Sequence, residues 1–325
     1  MTGTQEADAS GPGASPGAGP ARSTAASVAA SVAASAVALF VAMRPRQWTK
    51  NVLVIGAPLA AGRWSELPVL RATAVAGLSL CLAASCTYLL NDVHDVDEDR
   101  GHPRKRHRPV ASGALSRSAA LTAAAVLGPL GLAVAAVDGL ALLGLVAAYL
   151  LVTLAYTYRL RNEPVLDLVA VATGFLLRGA AGGAGAGIAV SSWFLLVAGF
   201  GSLFLVSGKR YSELVSREPR PGGRATLARY SPGYLRFVWA SAATLTIVAY
   251  ALWANDVYLV RDEGSWAIWS LLPFVVGLLH YAYDVDRGQA EAPEDLVLSD
   301  RTMQVVGVIW LVMVAVGAGG MDFGV

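Results

Sequence analysis

Residues 77–90 read GLSLCLAASCTYLL, and residues 91–99 follow at once as NDVHDVDED. The first stretch is apolar or small throughout and suits the end of a membrane-crossing helix. The second carries five carboxylates: Asp92, Asp95, Asp97, Glu98 and Asp99. Such a cluster repels itself unless cations lie within it. One short segment therefore marks both a lipid boundary and a cation-binding mouth. Continued as a helix at 100° per residue, Asp92, Asp95 and Asp99 fall within about 60° of one another. Asn91 sits at the edge of that face, Glu98 just beyond it, and Asp97 points elsewhere. Three carboxylates and an amide along one stripe are hard oxygen ligands. They suit Mg²⁺, which takes one or two protein carboxylates and completes its shell with water and substrate phosphates. A solvated acidic helix end is the plain alternative. His94, His102 and His107 lie nearby, but their spacing matches no zinc pattern and no cysteine joins them.

Working outward, the chain has 325 residues, of which 55% are hydrophobic and 15% charged, against about 25% charged in soluble domains. Apolar stretches long enough to cross the hydrocarbon core recur along it. Nine spans are expected, at roughly 47–63, 70–91, 118–137, 139–159, 164–184, 190–208, 233–254, 265–283 and 304–321. Strand alternation is missing, which argues against a β-barrel. The expected class is an all-α polytopic membrane protein. Residues 1–23 are Gly/Pro/Ala/Ser-rich and read as a disordered tail. Residues 24–46 read as an interfacial helix and lead-in, with a tenth span left open, and residues 47–325 as the transmembrane catalytic domain. Cys81 and Cys86 stand five apart in one apolar helix, so neither a mutual disulfide nor a metal pair is expected. Gly179, Gly183 and Gly187, spaced by four, read as a close-packing helix face.

Residues 100–113, RGHPRKRHRPVASG, supply Arg100, Arg104, Lys105, Arg106 and Arg108 immediately after the carboxylates. Metal-grade acid beside dense base is what a polyphosphate site needs, because a metal bridges phosphate oxygens while Arg and Lys neutralise the rest. The formal net charge is only +2, but it is unevenly spread. Loops after the second, fourth, sixth and eighth spans, with the N-terminal segment, hold nearly all the Lys and Arg. The opposite side holds Arg63, Arg71 and Arg261. The positive-inside rule makes the basic side cytoplasmic. The expectation is a multi-pass protein of the cell (inner) membrane with its active-site mouth facing the cytoplasm.

With these residues in hand, the chain resembles the UbiA-type intramembrane prenyltransferase superfamily over about residues 40–322. The resemblance rests on NDVHDVDED, on the span count and on RPRQWTKN at residues 44–51. Further stretches are similar to the branch that moves phosphoribosyl groups onto polyprenyl phosphates: YTYRLRNEPVLDL (156–168), SSWFLLVAGFGSLFLVSGKRYSEL (191–214) and APEDLVLSDRT (292–302). The resemblance implies a nine-helix bundle, Mg²⁺ as cofactor, and a bilayer-embedded enzyme. It also implies transfer of 5-phosphoribose from phosphoribosyl pyrophosphate (PRPP) to a decaprenyl phosphate, with release of pyrophosphate, for arabinan and cell-wall precursor synthesis. No nucleic-acid partner is expected, and homo-oligomerisation is left open. One departure is informative. Members of the wider superfamily carry a second Asp-rich motif after the sixth span. Here that loop begins GKRYSEL, with Lys209 and Arg210 in place of acids. Cations there suit an additional bare phosphate, such as the 5-phosphate of PRPP.

Asp92, Asp95 and Asp99 are the expected catalytic metal ligands, with Asn91 on metal or phosphate. Gln47 and Lys50 open the first span on the same face. Arg104, Lys105, Arg106 and Arg108 come from the basic loop. Tyr158, Arg159 and Arg161 end the fourth span, and Asp167 and Arg178 lie in the fifth. Arg178 within a span expects a functional role or a buried partner. Lys209, Arg210 and Tyr211 close the site from the sixth. In the last loop Asp284, Glu294, Asp295 and Asp300 could order the basic loops. Two rivals are an aromatic-acceptor prenyltransferase of the same fold, which wants the missing second acidic loop, and a membrane transporter, which wants charges along a path and internal repeats.

Overall fold

A computed structural model describes residues 21–216, 226–261, 266–290, 296 and 299–319. Among these the ordered elements are all helical, with no strand, as the expected class requires: in lipid a chain must satisfy its backbone polar groups internally. The helices are α1 (Ala21–Ala42), a 3₁₀ helix (Pro45–Ile55), α2 (Gly56–Ala60), α3 (Leu67–His94), α4 (Val96–Gly101), α5 (Pro109–Ser112), α6 (Arg117–Val137), α7 (Leu140–Tyr158), α8 (Leu166–Gly185), α9 (Ser192–Val215), α10 (Pro232–Arg261), α11 (Trp266–Trp269), α12 (Leu271–Asp286) and α13 (Arg301–Gly319). Single turns of 3₁₀ helix, Lys105–His107, Leu160–Asn162 and Leu227–Arg229, sit in the connections.

The count of nine crossing helices is not reached among the described residues. Seven helical segments are long and apolar enough to span, and an eighth forms only if Ser27–Ala42 and Pro45–Ala60 are taken as one segment bent by 43°. The stretch expected as the first span is mostly 3₁₀ helix. Its sequence, PRQWTKNVLVI, is polar over its first two turns, so it lacks the apolar length of a plain span. Arg301–Val316 is apolar but shorter than a full crossing. Residues 1–20 of the expected tail at 1–23 lie outside the described residues, and residues 21–23 are helical. Helix α1 begins before the expected segment at 24–46 and stops at Ala42, four residues short of its end.

Small residues set the packing. Residues Ala72, Ala76, Ser79, Leu80 and Ala83 form a buried face on α3. Opposite it, a Cβ at Gly131 of α6 would stand 3.0 Å from the Ser79 carbonyl oxygen, so the two backbones nearly touch. Helix α8 approaches the 3₁₀ helix more closely still: a Cβ at Gly182 would lie 1.8 Å from the carbonyl oxygen of Val54. The expected glycine face is therefore present but shifted. Gly179 and Gly183 do pack tightly, against Phe194 and Val190, whereas Gly187 has φ +63° and open space around it, and ends the helix as a turn. The α8–3₁₀ contact fixes where the residues after Arg44 sit relative to the carboxylate end of α3.

Candidate active site

Helix α3 does not run on through the acidic stretch. It ends at His94, Asp95 takes φ −93° and ψ 5°, and α4 restarts at Val96. The expected single stripe is thereby split. Asp92 and Asp99 stay together: both are about 1% exposed, and one Nη1 of Arg108 donates to Asp99 Oδ2 at 2.7 Å and to Asp92 Oδ1 at 3.3 Å. Asp95 turns aside, where Arg161 Nη1 donates to both its oxygens at 2.7 and 2.8 Å and Asn91 Nδ2 donates to Oδ2 at 3.0 Å. Arg44, at the bend before the 3₁₀ helix with φ 55° and ψ 61°, donates to Asp92 Oδ1. Asp97 faces outward to Arg117 and Arg100, as its helical position requires.

This is a carboxylate mouth ringed by arginines from three parts of the chain, Arg44, Arg108 and Arg161. Its donor set fits a hard divalent ion. Asp99 Oδ1 is buried without a hydrogen-bond partner, and Lys105 Nζ stands 4.0 Å from it, beyond hydrogen-bond reach. A buried carboxylate oxygen without a partner is costly, and a cation on the Asp92–Asp99 face would satisfy it. In the basic loop, His102 Nδ1 accepts the backbone N–H groups of Arg104 (3.2 Å) and Lys105 (3.3 Å). Burial, then the charge of Lys105, holds this imidazole below its usual pKa, so it stays the neutral acceptor that orders the loop. Arg104 and Arg106 extend into solvent, while Lys105 and Arg108 are half-buried.

A second network adjoins the first through the α7–α8 connection. Asp167, in the first turn of α8, accepts from Arg210 Nε at 3.3 Å and from the hydroxyl of Tyr230. The same Tyr230 oxygen accepts the backbone N–H of Val165 at 2.6 Å. Burial, then the Asp167 carboxylate, raises the Tyr230 pKa, so it remains a donor. Val165 is held at φ 70° and ψ −50°, a strained conformation for a β-branched residue, pinned at the site by this bond. Arg210 is 3% exposed and also donates to Glu213 at 3.2 Å. Thr226 donates to the Arg161 carbonyl oxygen at 2.5 Å, tying this connection to the segment before α10.

The remaining expected residues divide. Lys209 is half-buried beside Arg210 and forms no ion pair with the described residues. Gln47 and Lys50 lie on the 3₁₀ helix, and Lys50 reaches the wall of an apolar cavity of about 620 Å³ whose lining includes Phe175, Phe204, Tyr250, Trp253 and Phe274. Arg159 is exposed, and Tyr158 packs edge-on against His94 with ring centroids 5.0 Å apart. Tyr211 is buried and accepts from Arg236 at 2.6 Å. Arg178 lies deep in α8, donating to Asn51 Oδ1 at 2.9 Å and Tyr149 Oη at 2.7 Å. It is apart from the carboxylate mouth and braces the 3₁₀ helix through Asn51. Glu294 and Asp295 lie outside the described residues. Sequence reading missed Arg44 and Tyr230. The first carried a signal, as the opening residue of RPRQWTKN beside the acidic motif; the second carried none.

The UbiA prenyltransferase family profile matches residues 51–318. The chain is 44% identical over 278 residues to the decaprenyl-phosphate phosphoribosyltransferase of Corynebacterium glutamicum, covering 83% of each chain. It is likewise 44% identical over 281 residues to the protein of that name from Mycobacterium tuberculosis, covering 84% of this chain and 91% of the relative. The fold is similar to a UbiA homologue from Archaeoglobus fulgidus bound to DMAPP and Mg²⁺, with a TM-score of 0.67 at 17% identity, across 86% of this chain and 98% of that one.

Proposed function

The chain belongs to the UbiA prenyltransferase family, and from that premise we propose that it transfers 5-phosphoribose from PRPP to decaprenyl phosphate, releasing pyrophosphate. The observation that carries the reading is the 44% identity to decaprenyl-phosphate phosphoribosyltransferases along most of both chains. The site's geometry suits the chemistry. Arginines ring the carboxylate mouth, and the 3₁₀ helix that follows Arg44 carries Lys50 on the wall of the apolar cavity, which suits a charged headgroup with a lipid tail.

The acceptor phosphate is already an anion, so no general base is needed. Its oxygen attacks the anomeric carbon as the bond to the diphosphate breaks, which inverts the α-configured donor. What the protein supplies is position and charge. Mg²⁺, when bound, would be held by Asp92 and Asp99 with Asp95 and Asn91 beside them, and would supply charge neutralisation to the leaving diphosphate. Arg44, Arg108 and Arg161, which neutralise the carboxylates, are placed to share their guanidinium groups with phosphate oxygens. Lys209 would serve a further phosphate, since Arg210 next to it is engaged by Asp167 and Glu213. The basic loops face the cytoplasm, where a water-soluble diphosphate donor is met.

A donor-label experiment tests this. Purified protein is given either ribose-labelled PRPP with decaprenyl phosphate, or labelled prenyl diphosphate with an aromatic acceptor. Label should enter lipid from PRPP. Transfer only from the prenyl diphosphate would replace the reading with aromatic prenylation.

A further inference from the structure

Away from the carboxylate mouth, a second set of ligand-type side chains meets where α12 approaches α13. His280 and Asp284 stand one turn apart on α12, and Asp300 immediately precedes α13. One ligand atom from each of the three lies within 4.8 Å of the others. His280 Nε2 is 2.9 Å from Asp300 Oδ2. The other oxygen of Asp300 accepts the backbone N–H groups of Thr302 and Met303 at 2.7 and 3.0 Å, so the start of α13 orients that carboxylate. Asp284 is only 8% exposed, and its Oδ2 is buried with no hydrogen-bond partner among the described residues. No described Lys or Arg pairs with it. An ionised carboxylate in that position costs free energy unless a cation shares the space. The transfer reaction makes no use of these three residues.

We propose that His280, Asp284 and Asp300 bind a divalent transition-metal ion of the Zn²⁺ class, fastening α12 to α13. One imidazole and two carboxylates are donors for Zn²⁺ rather than for Mg²⁺, which takes oxygen alone. Metal–ligand bonds of about 2.0–2.2 Å put neighbouring ligands about 3.3 Å apart, so the widest separation needs to close by no more than roughly 1.5 Å. His280 and Asp300 can make that movement, because each side chain is about a third exposed. Water completes the shell. The ion would act on the apolar cavity, since Leu278 and Tyr281 of α12 and Met303 and Val306 of α13 form part of its wall. It would hold that wall closed at the Asp300 end.

The test uses the full chain in detergent, carrying Asp92→Asn, stripped with chelator and returned to excess Mg²⁺, so that the carboxylate mouth does not take up the probe. Zn²⁺ alone is then added. One Zn²⁺ per chain should survive gel filtration and raise the melting temperature, and Co²⁺ in its place should show an N/O-ligand d–d spectrum. His280→Gln and Asp284→Asn should each weaken Zn²⁺ binding more than about tenfold, while Asp97→Asn should not. Should Asp284→Asn fail to fold, His280→Gln, at a partly exposed position, decides alone. No retained Zn²⁺, or retention unchanged by His280→Gln, would overturn the site. The readout is metal content, so its failure is independent of whether phosphoribosyl transfer occurs.

Discussion

Lys209 and Arg210 are adjacent cations with different duties. Arg210 is buried between Asp167 and Glu213, whereas Lys209 is half-buried without an ion pair among the described residues. Removing one member of a buried pair strands the other charge and typically costs about 3–5 kcal/mol. Arg210→Ala should therefore lower stability strongly, measured by thermal unfolding in detergent. Lys209→Ala should leave the melting temperature unchanged. A charge-assisted phosphate contact contributes about 1.5–3 kcal/mol, so kcat/KM for PRPP should fall roughly ten- to a hundredfold. A PRPP analogue without the 5-phosphate separates this contact from others. It should be poor with wild type and lose little more with Lys209→Ala. Equal proportional losses with both donors would assign Lys209 to the diphosphate or lipid phosphate instead.

At the scale of elements, the decisive contact is backbone on backbone. Gly182 lets α8 lie against the 3₁₀ helix, and its Cβ would meet Val54 O at 1.8 Å. Gly182→Ala must push these elements apart, at about 1–3 kcal/mol for overpacking, and should displace Lys50 and Arg44 with them. Activity should drop more than tenfold, while Gly144→Ala on α7, with nothing within 4 Å of the added carbon, should leave it unchanged. Near-wild-type activity of Gly182→Ala would mean that this seam does not position the site. This contact also shows where sequence reading stops. Helical spacing put Asp92 and Asp99 on one face, and they do share Arg108, because three to four residues per turn survives a small break. It could not show the break at Asp95, where Arg161, 66 positions away in sequence, holds that carboxylate aside. Nor could it show that PRQWTKNVLVI winds as 3₁₀ helix, since tertiary packing rather than its own pattern holds it there.

For the whole molecule, apolar composition and the acidic–basic adjacency were enough to give an all-helical membrane protein with one polar mouth. The segment count was less legible, because α13 and the 3₁₀ helix fall short of plain spans and composition does not measure bends. Sidedness is testable directly. In a chain freed of Cys81 and Cys86 by Ala substitution, a cysteine placed at Ser216, after α9, should resist impermeant thiol reagents in intact cells and react once the membrane is opened. Labelling in intact cells would reverse the orientation and separate the mouth from a cytosolic donor.

The Asp92–Asp99 mouth is proposed to transfer phosphoribose onto a lipid phosphate. Its most direct test is to incubate purified protein with PRPP, decaprenyl phosphate and Mg²⁺ and to follow three quantities: lipid product by mass, its anomeric configuration by NMR, and pyrophosphate. A β-linked decaprenylphosphoryl 5-phosphoribose should form one for one with pyrophosphate. Rates should fall of order a hundredfold or more in Asp92→Asn at unchanged helix content. Pyrophosphate release without lipid product, an α-linked product, or full Mg²⁺-dependent turnover by Asp92→Asn would contradict it.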